Sequence, residues 1–184
     1  MKNKAAKALL LMGLLIAGGA GGTALYLHEA NTVRLDAVTD DVLTNADKVE
    51  ALRLSYYAGS AVDLSDEKGL YDTLSGYVLR RPAHVVNTNF APRLLSALRS
   101  LPDPKDQTLV SCFDPGVGFR VWHGGEWTEM FICFRCQGIE ISTTNAEGKK
   151  SGSVYMDLGA ARKPLLAMSR EAFLEDKVLQ ELKD

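Results

Sequence analysis

No cysteine stands in the first 111 residues, so the lipobox of a lipid-anchored protein is missing and that form is not expected. Basic residues are not in excess. Lys and Arg number 21 against 23 Asp and Glu, the formal net charge is −2, and no stripe of Lys and Arg collects anywhere, which argues against a nucleic-acid partner. No internal repeat or low-complexity tract is visible. No serine, aspartate or glutamate is tied to His84 by a recognisable motif, so His84 is a poor candidate for a general base and reads as a structural histidine. A non-catalytic protein is therefore favoured over an enzyme.

What the chain does have is a marked N-terminus. Lys2, Lys4 and Lys7 precede an uncharged run from Ala8 to Leu27, and the first acidic residue is Glu29. Two readings fit. The apolar core Ala8–Ile16, followed by Ala17, Gly18, Gly19 and Ala20, has the form of a signal peptide cleaved after Ala20. The whole uncharged stretch has 20 residues, about enough to cross a ~30 Å hydrocarbon core as a helix. Either way, the lysines keep the N-terminus in the cytoplasm and place the rest outside. The expected location is therefore extracytoplasmic, anchored in the inner membrane or free in the periplasm or medium, with the membrane as a partner through the N-terminal segment. Gly18 and Gly22 have the spacing that lets two membrane helices pack closely, although small residues near a cleavage site explain them as well.

Residues 28–46 are polar and poorly patterned and read as a spacer. Residues 47–184 are long enough for one domain with a sizeable core, and it is mildly acidic. The segment 48–54 is ambiguous between strand and helix. Residues 63–68 read as a loop, and 76–80 and 83–86 as short strands on either side of Pro82. Apolar spacing at Leu94, Leu95, Leu98 and Leu101 predicts a helix over 91–101, ended by Pro102. Residues 108–113 and 154–156 are further strand candidates. The tail predicts a helix over 164–182, with Pro164 in its first turn and Leu165, Leu166, Met168, Phe173, Leu174, Val178 and Leu182 as apolar positions.

The best-determined unit is a hairpin. Segments 117–122 and 127–134 are joined by His123-Gly124-Gly125-Glu126, and Gly-Gly is a strong two-residue turn. That loop fixes the register. His123 faces Glu126, Trp122 faces Trp127, Val121 faces Thr128, Arg120 faces Glu129, Phe119 faces Met130 and Val117 faces Ile132. Val117, Phe119, Val121, Met130 and Ile132 then share one face, which is the core face, and a one-residue slip would bury Arg120 and Glu129 in their place. Trp122, Trp127 and Arg120 fall on the opposite face beside Phe131 and Cys133. Aromatics beside arginine have the composition of a binding hot spot; a helix or loop covering them as a second small core is the competing reading. Beyond Phe134 the apolar parity switches from even to odd, so a bulge or tight turn is expected near Gln137-Gly138.

The three cysteines, Cys112, Cys133 and Cys136, lie within 25 residues, and an exported chain permits disulfides. Residues three apart in a plain strand point to opposite faces, so the Cys133–Cys136 pair meets only if the chain turns there. A redox site at this CxxC is one option. Zinc is another, because Cys112, His123, Cys133 and Cys136 make a Cys3His set. His123, however, sits at the hairpin tip, more than about 20 Å from Cys133 along the strand. No cofactor is therefore expected. The favoured option is a structural bridge from Cys112 to Cys133 or Cys136, closing a loop of 20–25 residues worth about 3 kcal/mol. Buried free thiols are the remaining one.

The segments Cys112-Phe113-Asp114-Pro115-Gly116-Val117-Gly118 and Ile132-Cys133-Phe134-Arg135-Cys136, with a helix carrying Leu165-Leu166 and Ala172-Phe173, resemble a group of small uncharacterised bacterial exported or lipid-anchored proteins. The likeness covers roughly the last 75 residues. It implies an envelope location and no established activity or site.

The expected architecture is α+β: an antiparallel sheet of about four to six strands around the Gly-Gly hairpin, with helices 91–101 and 164–182 on one face. The expected function is a non-catalytic binding or structural domain in the cell envelope with a protein partner there. A thiol-dependent redox or metal-binding protein using Cys133, Cys136 and Cys112 is the alternative.

Overall fold

A computed structural model describes residues 38–55, 73–74, 77–102 and 113–183. The N-terminal segment 1–27, the spacer residues 28–37, the loop 63–68 and all of the strand candidate 108–113 except Phe113, Cys112 included, lie outside the described residues.

The chain is α+β, and its sheet is antiparallel throughout. The strands are β1 (Lys48–Ser55), β2 (Thr73–Leu74), β3 (Tyr77–Leu79), β4 (His84–Val86), β5 (Val117–His123), β6 (Glu126–Cys133), β7 (Gly138–Thr144) and β8 (Val154–Asp157). Their order is β2-β3-β1-β5-β6-β7-β8, with β4 pairing β1 beside β3. The eight strands among the described residues exceed the expected four to six: the ambiguous segment 48–54 is a strand and sits centrally, and β2 was not anticipated. β1 takes β5 on one edge and shares the other between β4, at Val49–Ala51, and β3, at Leu54–Ser55.

The ladder registers sort the side chains. Val49, Ala51 and Arg53 align with Val121, Phe119 and Val117; these align with Thr128, Met130 and Ile132; and the last three with Thr143, Ile141 and Ile139. This face is the main core, and nearly all its apolar members are fully buried. The helices lie over it. They are α1 (38–44), α2 (Phe90–Leu98), α3 (Arg162–Ala172), entered through a 3-10 turn at Gly159–Ala161, and α4 (Lys177–Glu181). The Phe90 and Phe119 rings stand 6.1 Å apart, and Thr39 Oγ1 lies 3.5 Å from Thr143 Oγ1.

Two expectations are corrected here. Residues 38–44, read as spacer, are helical, and Val42 and Leu43 are buried in the core. The tail is two helices rather than one. Phe173 leaves the helical region (φ −129°, ψ 60°), and its ring packs edge-on to His84 at 5.1 Å. Asp176 then caps α4 by accepting from Leu179 N. With the helix broken, Leu174 and Val178 are exposed and Leu179 is buried in their stead. The parity switch after Phe134 is, of the two options expected, the tight turn, and it reverses the chain. Residues 134–137 form a turn with Gln137 at φ 57°, and β7 returns against β6 with Cys133 opposite Gly138.

The described residues from Thr39 onward belong to one compact unit.

Candidate functional site

Cys136 lies in the turn after β6, while the outer face of the sheet carries the candidates Arg120, Trp122, Trp127 and Cys133. Leu52, Leu54, Gly118, Arg120, Trp122, Trp127, Glu129, Phe131, Cys133, Glu140, Ser142 and Thr144 share it by register. It divides into two halves. In one half Leu52, Leu54 and Phe131 are buried, with Leu74, Tyr77, Leu79 and Phe113 packed against them. A second small core therefore does form on this face, but it is built on Phe131 and not on the tryptophans. Tyr77 crosses it to donate from its hydroxyl to Glu140 Oε2 at 3.0 Å. Burial and the adjoining Glu140 carboxylate raise the Tyr77 phenol above its ordinary range.

The other half holds the tryptophans. Their ring centroids are 4.7 Å apart at 37°, the cross-strand contact that the Gly-Gly turn dictates. Lys48 Nζ lies 4.6 Å over the Trp122 ring, and the Arg120 guanidinium carbon is 5.4 Å from Trp122 and 5.9 Å from Trp127. Trp122 Nε1 donates to Glu50 Oε2 at 3.0 Å, Lys48 Nζ donates to Glu50 Oε1 at 3.0 Å, and Arg120 Nε donates to Glu129 Oε1 at 2.9 Å. Burial acts to raise the Glu50 carboxyl, but the Trp122 and Lys48 hydrogen bonds and the charges of Lys48 and Arg120 outweigh it and hold it below its usual value.

Burial departs from the sequence expectation. Glu129 is 2% exposed, so the Arg120–Glu129 pair is largely desolvated and not a surface pair. Trp122, Trp127 and Arg120 are half-buried. Trp127 Nε1 and Ser142 Oγ are both buried without a hydrogen-bond partner. Ser142 sits directly across from Glu129, and Thr144 across from Trp127, so the two orphaned groups are neighbours on one face. Sequence reasoning missed Lys48, Glu50 and Ser142. Only the pairing of β1 and β7 with the hairpin brings them in.

The cysteines form a different bond from the one expected. Cys133 and Cys136 are joined to each other, with Cα atoms 5.3 Å apart. The reversal at 134–137 brings together side chains that a plain strand would hold apart. Both partners that a Cys112 bridge would need are thereby taken, and Cys112 itself lies outside the described residues. No group of three or more His, Cys, Asp or Glu that could hold a metal occurs among the described residues. His123 is at the hairpin tip, with Nδ1 3.3 Å from Asp47 Oδ2. His84 packs on Phe173.

No protein-family model, curated protein or solved structure matches this chain.

Proposed function

We propose that this is a cell-envelope protein, exported or anchored through residues 1–27, whose folded domain is a non-catalytic binding module. The observation that supports the binding role is the outer-face group in which a tryptophan pair stands beside Arg120 and two buried polar groups without partners. A buried donor left unpaired costs about 1–3 kcal/mol, and a ligand or partner that pairs it recovers that cost. Trp and Arg dominate binding hot spots because they combine a large apolar area with a polar handle. The charges of the group compensate one another, Arg120 against Glu129 and Lys48 against Glu50. Recognition there rests on aromatic burial and hydrogen bonding rather than on net charge. The partner is a protein of the envelope.

Photo-crosslinking in living cells tests this reading. A photoreactive residue at Lys48, at the rim of the group, is expected to give a discrete protein adduct that Trp127→Ala abolishes. The same residue at Val178, exposed on the helical layer, is expected to give none. No adduct from position 48, or the same adduct from both positions, overturns the proposal. The chain has two tryptophans, both in this group, so intrinsic fluorescence must also shift when the purified adduct partner is added.

A further inference from the structure

The Cys133–Cys136 bond sits where a structural staple has little to do. It spans two intervening residues, and a loop that small removes less entropy from the unfolded chain than a long one does. The hairpin it closes is already fixed by the β6–β7 ladder from Trp127–Thr144 to Cys133–Gly138. The bond can open without the sheet coming apart.

Its two sulfurs are not equivalent. Cys133 ends β6 and is 1% exposed. Cys136 lies in the turn and is half-buried, between Arg135 and Gln137, which are both exposed. An incoming thiolate therefore reaches Cys136 first. The backbone N–H of Cys136 points at Cys133 Sγ, 3.0 Å away. Once the bond breaks, that N–H donates to the Cys133 thiolate and favours its charged form, which makes Cys133 the better leaving group. Two acidic side chains at this end of the sheet are engaged elsewhere, Glu140 by Tyr77 and Asp157 by the Gly159 N–H.

We infer that Cys133–Cys136 is an exchangeable disulfide with a fixed direction of attack. A thiolate RS⁻ attacks Cys136 Sγ, the Cys136–Cys133 bond breaks, an R–S–S–Cys136 bond forms, and the electron pair leaves on Cys133 as a thiolate. When the attacking group belongs to a dithiol, its second thiolate attacks the R sulfur and releases Cys136. Two electrons have then passed to the bridge, and the dithiol has become a disulfide. The reaction partner is a protein or small-molecule dithiol of an oxidising compartment, where such a bond persists. This inference is independent of the tryptophan group.

The test uses the full chain, oxidised and folded, with reduced glutathione as the probe. The reaction is quenched with acid, free thiols are capped with a maleimide, and the protein is digested with trypsin. Arg135 lies between the two cysteines, so they fall in separate peptides. The expected result is glutathione on Cys136 and maleimide on Cys133, with Cys136 adducts in about tenfold excess or more over Cys133 adducts. The far-ultraviolet circular dichroism should stay unchanged. Adducts on Cys133, equal labelling of the two, or reaction only after denaturant is added would each overturn the inference. Repeating the experiment in Cys112→Ser removes scrambling through the third cysteine and must give the same pattern.

Discussion

Arg53 of β1 donates through Nε to Asp176 Oδ2 at 2.6 Å, joining residues 123 positions apart. Both groups are close to buried, at 6% and 11% side-chain exposure. Arg53 also donates to the Leu54 and Gly116 carbonyls, so its guanidinium is held by the sheet on one side and by the tail on the other. Asp176 does two jobs: it is the counter-ion of a buried cation, and it caps α4 by accepting from Leu179 N at 3.2 Å.

Asp176→Asn keeps a capping side chain but leaves Arg53 without its counter-ion. Breaking a buried pair this way costs about 3–5 kcal/mol. Asp176→Ala should cost about 1 kcal/mol more, because the cap is lost as well. Urea titration at neutral pH measures both. Burial acts to raise the Asp176 carboxyl, and the Arg53 and Leu179 hydrogen bonds and the Arg53 charge override it, so its folded value lies below the ordinary one. Glu50 is shifted the same way. A depressed carboxylate contributes stability that is present above its unfolded value, near 4, and is lost as pH falls through the folded value. Stability should therefore drop below about pH 4. The Asp176→Asn protein should show a shallower acid limb. An identical limb in both proteins would contradict this assignment.

Arg120 and Glu129 meet across β5 and β6 with the carboxylate almost wholly buried. An exposed cross-strand pair would be worth under about 1 kcal/mol. Truncating Arg120 leaves the buried Glu129 charge without that counter-ion, so Arg120→Ala should cost about 3 kcal/mol by chemical denaturation. A loss under about 1 kcal/mol would mean that water reaches Glu129 when the arginine goes.

The hairpin was legible residue by residue. All seven β5–β6 pairs, from Val117–Ile132 to His123–Glu126, follow from one Gly-Gly turn and one alternating pattern, because a two-residue turn fixes register. The burial of Arg120 and Glu129 was not legible, since it depends on β1 and β7 flanking the hairpin, and nothing local to 117–134 encodes those neighbours. The tail failed for a related reason. Leu174 and Val178 have helical spacing, but Phe173 gives up its helical backbone to pack on His84, a residue 89 positions earlier. The helix at 38–44 was hidden because Val42 and Leu43 are its only large buried apolar residues and they stand among aspartates. The disulfide was legible only in part: the turn that lets Cys133 and Cys136 meet was expected, but a bridge from Cys112 was favoured over their pairing with each other.

The proposed location rests on Lys2, Lys4 and Lys7 ahead of Ala8–Leu27. A reporter that folds only outside the cytoplasm, fused after Asp184, should be active. N-terminal sequencing of the mature protein then separates an anchor, which keeps its first residues, from a signal peptide cut after Ala20. An active cytoplasmic-only reporter at the same junction would refute the location.

Gly118 offers the sharpest test of the second core. It stands on the outer face of β5, between Leu52 on β1 and Phe131 on β6. A Cβ built there would lie 2.9 Å from the Met130 carbonyl oxygen, 3.1 Å from the Phe131 ring and 3.3 Å from Leu52 Cδ1. The nearest atom is backbone within the central ladder, so it cannot swing aside as a side-chain tip would. The absence of a side chain is what lets the Phe131 ring lie down over β5 and meet Tyr77 at 4.9 Å. Gly118→Ala should therefore destabilise the domain by about 1–3 kcal/mol, as overpacking does, despite alanine's better intrinsic fit to a strand. Gly152→Ala, where an added Cβ meets nothing within 4 Å, is the matched control and should stay within about 0.5 kcal/mol of the parent. Equal stabilities for the two variants would mean that neither the Met130 carbonyl nor the Phe131 ring crowds this position. A selective loss at Gly118 that Phe131→Leu relieves in part would separate the share of the ring from that of the Met130 carbonyl.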